Sequence, residues 1–360
     1  MVDLEKLKTE CLEKVNETVH QEYEQPVLRQ LFIELTSSCN LKCQHCGSSC
    51  GPRKQDGVPL EMLDIILSEI AYDPEYKENK PFIVLTGGEP MIRPDFVDVI
   101  HMIHDKGFNW GMTTNGTLMT KELAQKCREA GMYSVAISLD DLPEYHDAFR
   151  QVPGAYEKAV QGLETIIAEQ ACKNIVVTTV LTHQSISRLD AIFDVVNQFE
   201  IDAWRVVGIE PIGRALTHPE MLFTAEDYHT LFEFIRNKRM QNIPVEYSCP
   251  HYLGLDYERD LRNWFFKCIA GIEVASIMSN GDIGACLDIE RTKQTIQGNV
   301  YRDDLLKVWR KGFAIYRQDL VPLTAGCAGC SQAKFCRGGS HHTYNHAEHV
   351  QRLCMKGVLF

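Results

Sequence analysis

Three thiols within eight residues, in Glu34-Leu-Thr-Ser-Ser-Cys39-Asn-Leu-Lys-Cys43-Gln-His-Cys46, form the first group in the chain whose spacing suits a metal centre. They lie too close together for separate elements and fit a loop wrapped round one centre. Thiolates are the usual ligands of iron-sulfur clusters, and three thiolates for four irons leave one iron open to a cofactor or substrate. A zinc ion would want a fourth protein ligand, which His45 or Cys50 could offer. A second group follows near the C-terminus: Cys268, twelve residues, Gly281, four residues, Cys286, then Cys327-x2-Cys330-x5-Cys336 and finally Cys354. Four thiolates at the later spacing suit an iron-sulfur cluster or zinc. Nine of the fourteen cysteines fall into these two groups, and metal ligation is their first reading in a compartment where disulfides are rare. Cys11, Cys50, Cys127, Cys172 and Cys249 stand outside both, and Cys127 and Cys172 read as small buried hydrophobes.

These groups need a scaffold. With 360 residues, 44% hydrophobic and 24% charged, the chain can build one large domain and a smaller one. A net charge of -12 without a basic stripe argues against nucleic acid as a partner. The sequence has no apolar run of about 20 residues and no signal-peptide core, so a cytoplasmic protein with no membrane partner is expected. Six apolar, β-branched runs predict strands at Leu31 to Thr36, Phe82 to Thr86, Asn109 to Thr113, Ser134 to Leu139, Ile175 to Leu181 and Ala203 to Gly208. Helical spacing follows each, as in Leu60, Leu63, Ile66, Leu67 and Ile70, or Phe96, Val99, Ile100 and Ile103. Thr120 and Gly131 bracket a third helix as its caps. Residues 1–30 read as a charged helical extension, 31–239 as the βα core, 240–264 as a linker, and 265–360 as a cysteine-rich second domain.

Repeated βα units give an α/β fold, an open barrel or a doubly wound sheet, whose ligands gather at the carboxyl ends of the strands. Cys39 follows the first strand, Gly87-Gly88-Glu89-Pro90 the second, and Asn115-Gly116 the third, while Asp140 closes the fourth. The Gly-Gly pair lets backbone approach a ligand without Cβ obstruction, and Glu89 offers a carboxylate suited to an ammonium group. Taken singly, Asn115 could be a turn former, Asp140 a cap and Arg150 a surface charge.

With those residues in place, the chain resembles the radical S-adenosylmethionine superfamily, whose core is a partial (β/α)6 TIM-like barrel. The resemblance implies that Cys39, Cys43 and Cys46 hold a [4Fe-4S] cluster whose open iron chelates S-adenosylmethionine. It implies that Gly87, Gly88, Glu89 and Pro90 receive the methionine amino group, and that Asn115, Ser138, Asp140 and Arg150 surround the ribose and carboxylate. The activity implied is reductive cleavage to methionine and a 5′-deoxyadenosyl radical that takes a substrate hydrogen, with flavodoxin or ferredoxin as electron donor. The C-terminal pattern resembles the SPASM extension, where Cys327, Cys330, Cys336 and Cys354 match the ligands of an auxiliary [4Fe-4S] cluster. Ser340 stands where that family places a further cysteine, which leaves Cys268 and Cys286 as the clear ligands of a second, proximal auxiliary cluster. Cys249, Ser340 or a nearby Asp or His could complete that cluster, or it could be absent.

Family members with this extension modify peptides or proteins, and others act on haem precursors or sugars. A peptide or protein under maturation is the favoured substrate. Thirty-eight residues precede Cys39, too few for a fused leader-recognition domain, so a separate recognition protein or direct binding is expected. Two further classes remain: a zinc-binding protein with both groups structural, and an electron carrier. Glu210 and Asp288 are the candidate proton-handling residues. His342, His346 and His349 would share a face if helical, but hydrogen bonding or solvent exposure is the better reading of these histidines.

Overall fold

The computed structural model describes residues 4–52, 57–249 and 251–360. Seven parallel strands run in chain order: β1 (Gln30–Glu34), β2 (Phe82–Thr86), β3 (Trp110–Thr114), β4 (Met132–Ser138), β5 (Asn174–Leu181), β6 (Ala203–Gly208) and β7 (Val245–Tyr247). On the free side of β1 the C-terminal region adds β8 (Val274–Ile277), parallel to β1, then β9 (Asp282–Gly284) and β10 (Gly298–Asn299), both antiparallel to their neighbours. Among the described strands β7 and β10 are the two edges, so the sheet is an open, partial barrel.

Helices cover its outside because their apolar residues recur at helical spacing. The helix α2 (Leu60–Tyr72) buries Leu63, Ile66, Leu67 and Ile70, and α3 (Phe96–Asp105) buries Phe96, Val99, Ile100 and Ile103. Thr120 caps α4 (Lys121–Glu129) by accepting from Leu123 N at 3.2 Å, and Gly131 beyond its end takes a positive φ of 68°. Helices α5 (Pro143–Arg150), α6 (Ala155–Ala168), α7 (Leu189–Val196) and α8 (Ala225–Met240) complete the layer, and α8 opens on a Thr224–Asp227 capping box. The long α1 (Leu4–Glu24) packs on the cysteine-rich region, where Leu12 joins Tyr252 and Phe266 and Asn16 donates to Lys334 O at 2.6 Å.

Three features differ from the sequence reading. The α5 segment, which brings Arg150 into the site, was not among the expected helices. The stretch 240–264, expected as a linker, carries β7, whose Val245 and Tyr247 are fully buried on the sheet. The sheet also continues into 265–360, since β8 completes β1's hydrogen bonding on its other edge. Among the described residues no helix is long and apolar enough to cross a membrane.

Candidate active site and metal centres

The loop after β1 is pinned from several sides. Cys39 N donates to Gly51 O at 2.8 Å, Lys42 N to Arg150 O at 3.1 Å and Gln44 N to Phe149 O at 3.0 Å, so α5 forms one wall of the loop. Arg214, beyond β6, closes another: its Nε donates to Cys43 O and its Nη1 to Cys50 O, each at 2.7 Å. Gly213 beside it has a positive φ of 51°, and a Cβ there would lie 2.3 Å from Cys46 O. The sequence marks this support only by a Gly-Arg pair after a strand.

Cys39, Cys43 and Cys46 share one apolar patch with Leu41, Val152 and Ala155. Burial pushes the Cys39 thiol up to about 12 and raises Cys43, against the pull of the Arg150 guanidinium. Cys46 is lowered by a hydrogen bond with the Cys50 thiol, burial opposing and Arg214 assisting, while Cys50 is raised by the same bond. Three crowded, partly buried thiols ionise together only beside strong positive charge, so this donor set fits an iron-sulfur cluster. Cys50, set aside in the spacing patterns, lies against Cys46 and 3.9 Å from Glu34 Oε1.

The other strand-end residues surround this loop. Gly88 N donates to Thr36 O at 2.7 Å and Glu89 N to Ser38 O at 2.9 Å. A Cβ on Gly88 would stand 2.0 Å from Ser38 O, so only glycine permits this approach. Glu89 is wholly buried; its carboxylate accepts from Thr114 Oγ1 and Asn115 N, each at 2.8 Å, tying the second strand end to the third. Burial raises it to about 7 despite these donors. Pro90 is buried and opens a short 3-10 turn. Asn115 Nδ2 donates to Asn40 Oδ1 at 2.9 Å and lies 3.9 Å from Cys39 Sγ. Ser138 ends β4, paired in register with Thr178. Asp140 and Arg150 form a buried ion pair at 2.6 Å, and Asp140 Oδ1 also accepts from Val180 N at 3.0 Å. Arg150 is therefore not a solvated surface charge.

A cleft of roughly 810 Å³, open solvent included, adjoins the loop at His45 and Gly47 and is lined across from them by Glu210, Cys249, Cys286, Asp288 and His342. The His45 ring stacks on Phe149 at 4.4 Å, and burial lowers its imidazole to about 4. Burial opposes ionisation of Glu210, yet His342, 2.6 Å away, and His251 hold its carboxyl well below the ordinary range. Asp288 is exposed on the cleft, and its Oδ1 would lie 2.9 Å from a Cβ on Gly47. Glu210 and Asp288 thus meet in one cleft. The His342–Glu210 pairing had no mark in the spacing.

Cys327, Cys330, Cys336 and Cys354 all line a second cavity, of roughly 780 Å³ with open solvent included. Burial and the other three thiols raise Cys336 to about 12. This donor set fits a metal bound by four thiolates. Cys268 and Cys286 are half-buried neighbours: desolvation leads in raising the Cys286 thiol, followed by Asp288 and Cys268. Ser340 is fully buried with its hydroxyl 3.2 Å from Thr343 Oγ1. The shared helical face considered for His342, His346 and His349 is not formed, because Tyr344–Asn345 and Val350–Gln351 pair as a hairpin. His341 instead stacks on His346 at 5.3 Å, and His349 lies 3.1 Å from the Tyr344 hydroxyl.

A parallel barrel with three thiols at the end of β1, a Gly-Gly-Glu loop after β2 and further polar groups after β3 and β4 defines a class. Residues 33–196 match the family model described as the Radical SAM superfamily, so the chain carries a radical SAM domain and is an enzyme. It is 27% identical over 343 residues to an AdoMet-dependent heme synthase of Oleidesulfovibrio alaskensis, covering 88% of this chain and 86% of that one. It is 29% identical over 317 residues to the mycofactocin maturase MftC of Mycolicibacterium smegmatis, covering 86% and 77%. Among solved structures, Streptococcus suis SuiB bound to S-adenosylmethionine superposes with a TM-score of 0.71 at 21% identity, over 93% of this chain and 77% of that chain. The enzyme anSMEcpe with bound AdoMet superposes with a TM-score of 0.67 at 17% identity, over 88% and 87%.

Proposed function

We propose that the enzyme abstracts a hydrogen atom from a peptide or protein substrate undergoing maturation. The carrying observation is that His45 and Gly47, inside the three-thiol loop, are also walls of the cleft that holds Glu210, Asp288 and His342. The cofactor side and the substrate side thus meet across one loop. When bound at Cys39, Cys43 and Cys46, the reduced cluster with S-adenosylmethionine supplies a 5′-deoxyadenosyl radical. Gly87, Gly88 and Pro90 bring backbone close to the loop, Glu89 ties it to β3, and Asn115, Ser138, Asp140 and Arg150 line the strand ends where the cofactor is held. Asp288, exposed on the cleft, is placed to exchange a proton with substrate, whereas Glu210 is held as the anion by His342. The cleft walls keep water from a reactive species.

Cys327, Cys330, Cys336 and Cys354 would hold an auxiliary [4Fe-4S] cluster in a SPASM-like region. Cys268 and Cys286 remain a pair, and Cys249, considered as a further ligand for them, is grouped with Glu210 and His251 instead. A flavodoxin or ferredoxin would supply the electron, and a separate protein would recognise a leader segment. The likeness to a maturase over most of the chain supports a peptide substrate, as does a shared fold with SuiB, which has been solved bound to precursor peptide SuiA. A haem precursor is the second reading, favoured by haem synthases matched over 86 to 92% of their own length.

The test uses anaerobically reconstituted, reduced enzyme with S-adenosylmethionine and a deuterated peptide encoded beside its gene. The proposal expects deuterium in 5′-deoxyadenosine and a loss of hydrogen mass from the peptide. Transfer from a haem precursor and none from the peptide would overturn the peptide reading. No 5′-deoxyadenosine from fully reconstituted protein would overturn the activity itself.

A further inference from the structure

Glu210 beyond β6 and Cys249 and His251 beyond β7 bring three different donors together: a carboxylate oxygen, a thiol sulfur and an imidazole nitrogen, all within 4.8 Å of one another. Neither Glu210 Oε1 nor His251 Nδ1 has a hydrogen-bond partner among the described residues, although both atoms are buried. They face each other at 3.5 Å, and His251 is only 3% exposed. Buried polar atoms are nearly always satisfied, so two such atoms within 4.8 Å of the Cys249 thiol, itself 3.7 Å from Gly208 O, call for a further partner.

The surroundings orient all three donors. The Tyr247 hydroxyl lies 3.0 Å from His251 Nε2, occupying that nitrogen and leaving Nδ1 toward Glu210. His342 Nε2 takes the other Glu210 oxygen at 2.6 Å, which leaves Oε1 as the inward one. Arg262 donates at 2.8 Å to both Cys249 O and His251 O, and is itself paired with Glu258 at 2.5 Å, so the two donor residues are clamped by one buried guanidinium. Metal-ligating histidines and carboxylates are held in this way by groups on their far atoms.

We propose that Glu210, Cys249 and His251 bind one borderline divalent transition metal of the Zn2+ type, distinct from the thiolate-bound clusters. One thiolate and one carboxylate balance a divalent cation, so the site becomes electrically neutral in a buried place, with the cysteine proton released to solvent. Mixed sulfur, nitrogen and oxygen donors suit zinc and its neighbours better than hard cations. Three protein ligands leave a coordination position over, the pattern of sites that accept a water or substrate atom. Glu210 and Cys249 line the barrel cleft while His251 lines the four-thiol cavity, so the ion would stand in the wall between them. Its neighbour Asp288 shares that cleft.

The test equilibrates the reconstituted holoenzyme with Zn2+, removes loose metal with a weak chelator, and measures zinc, iron and sulfide together with zinc X-ray absorption. The expected result is about one zinc per chain, with one sulfur at about 2.3 Å and nitrogen or oxygen at about 2.0–2.1 Å. Cys249→Ser and His251→Gln should each weaken zinc retention at least tenfold with iron and sulfide unchanged. No retained zinc, a sulfur-only shell marking occupation of the cluster sites, or equal retention in both variants would overturn the proposal. The absorption measurement on unaltered enzyme decides the matter if either variant fails to fold.

Discussion

The loop after β1 and the cage near the C-terminus offer the same donor atoms on unlike scaffolds. The first is tied by hydrogen bonds to partners far away in sequence: backbone bonds from Lys42 and Gln44 to α5 and from Glu89 to Ser38, and the Arg214 guanidinium to Cys43 and Cys50. The second is tied chiefly to itself. Cys327 N donates to Thr324 O, Cys330 N to Cys327 O and Cys336 N to Gln332 O, all within turns of three or four residues. Its long-range ties come to the turns beside the cysteines: Arg337 donates to Phe266 O at 2.9 Å, Asn16 to Lys334 O at 2.6 Å and the Tyr252 hydroxyl to Gln332 Oε1 at 2.9 Å. A site that must aim a reactive atom is therefore positioned by the sheet before its cofactor arrives, whereas the cage would draw much of its order from the metal it binds.

The largest expected effect separates the two chemically. Cys43→Ala should reduce 5′-deoxyadenosine formation by more than about a hundredfold, because the radical chemistry is proposed to arise from a cofactor at that loop. The same variant should keep the iron bound at the C-terminal cysteines, measured by anaerobic iron and sulfide assay. Metal removal should then separate them structurally. In metal-free protein, limited proteolysis is expected to cut within 320–356 while a fragment spanning β1 to α8 persists, and reconstitution should protect both. Equal cutting in both regions would break the contrast.

Asp140→Asn comes next, since it leaves Arg150 buried without its partner and should cost about 3–5 kcal/mol in urea unfolding of the metal-free protein. Burial works against ionisation of Asp140, but Arg150, then His45 and His146, hold its carboxyl below the ordinary range. A depressed folded value means that the pair's contribution is complete above about pH 4 and is lost as pH falls through the folded value. The variant should lack that acid limb. The smallest effect is Thr120→Ala, which removes the α4 cap on the barrel's outer face and should cost about 1 kcal/mol while leaving 5′-deoxyadenosine formation unchanged.

Much of the barrel was legible because long apolar runs carry their own signal. The strands at Phe82–Thr86 and Ala203–Gly208 coincide with their sequence bounds, and the helices at 60–72 and 96–105 follow the spacing of their buried residues. Short elements were not legible. Three residues of β7 and four of β8 cannot show a period, and α5 carries the polar run Pro-Glu-Tyr-His-Asp between a strand and a longer helix. The cysteine groups were readable as spacing, since their ligands are near neighbours in sequence. Arg214 under the loop, the His342–Glu210 pair and the position of His251 were not, because each joins residues brought together only when the C-terminal region packs on the barrel.

Anaerobic iron quantitation of the reconstituted enzyme, beside a variant with Cys39, Cys43 and Cys46 all changed to Ala, tests the central claim most directly. Two separate clusters predict about eight irons per chain in the enzyme, and about four in the variant with no 5′-deoxyadenosine formed. About four irons in the enzyme, or undiminished cleavage of S-adenosylmethionine by the variant, would contradict it.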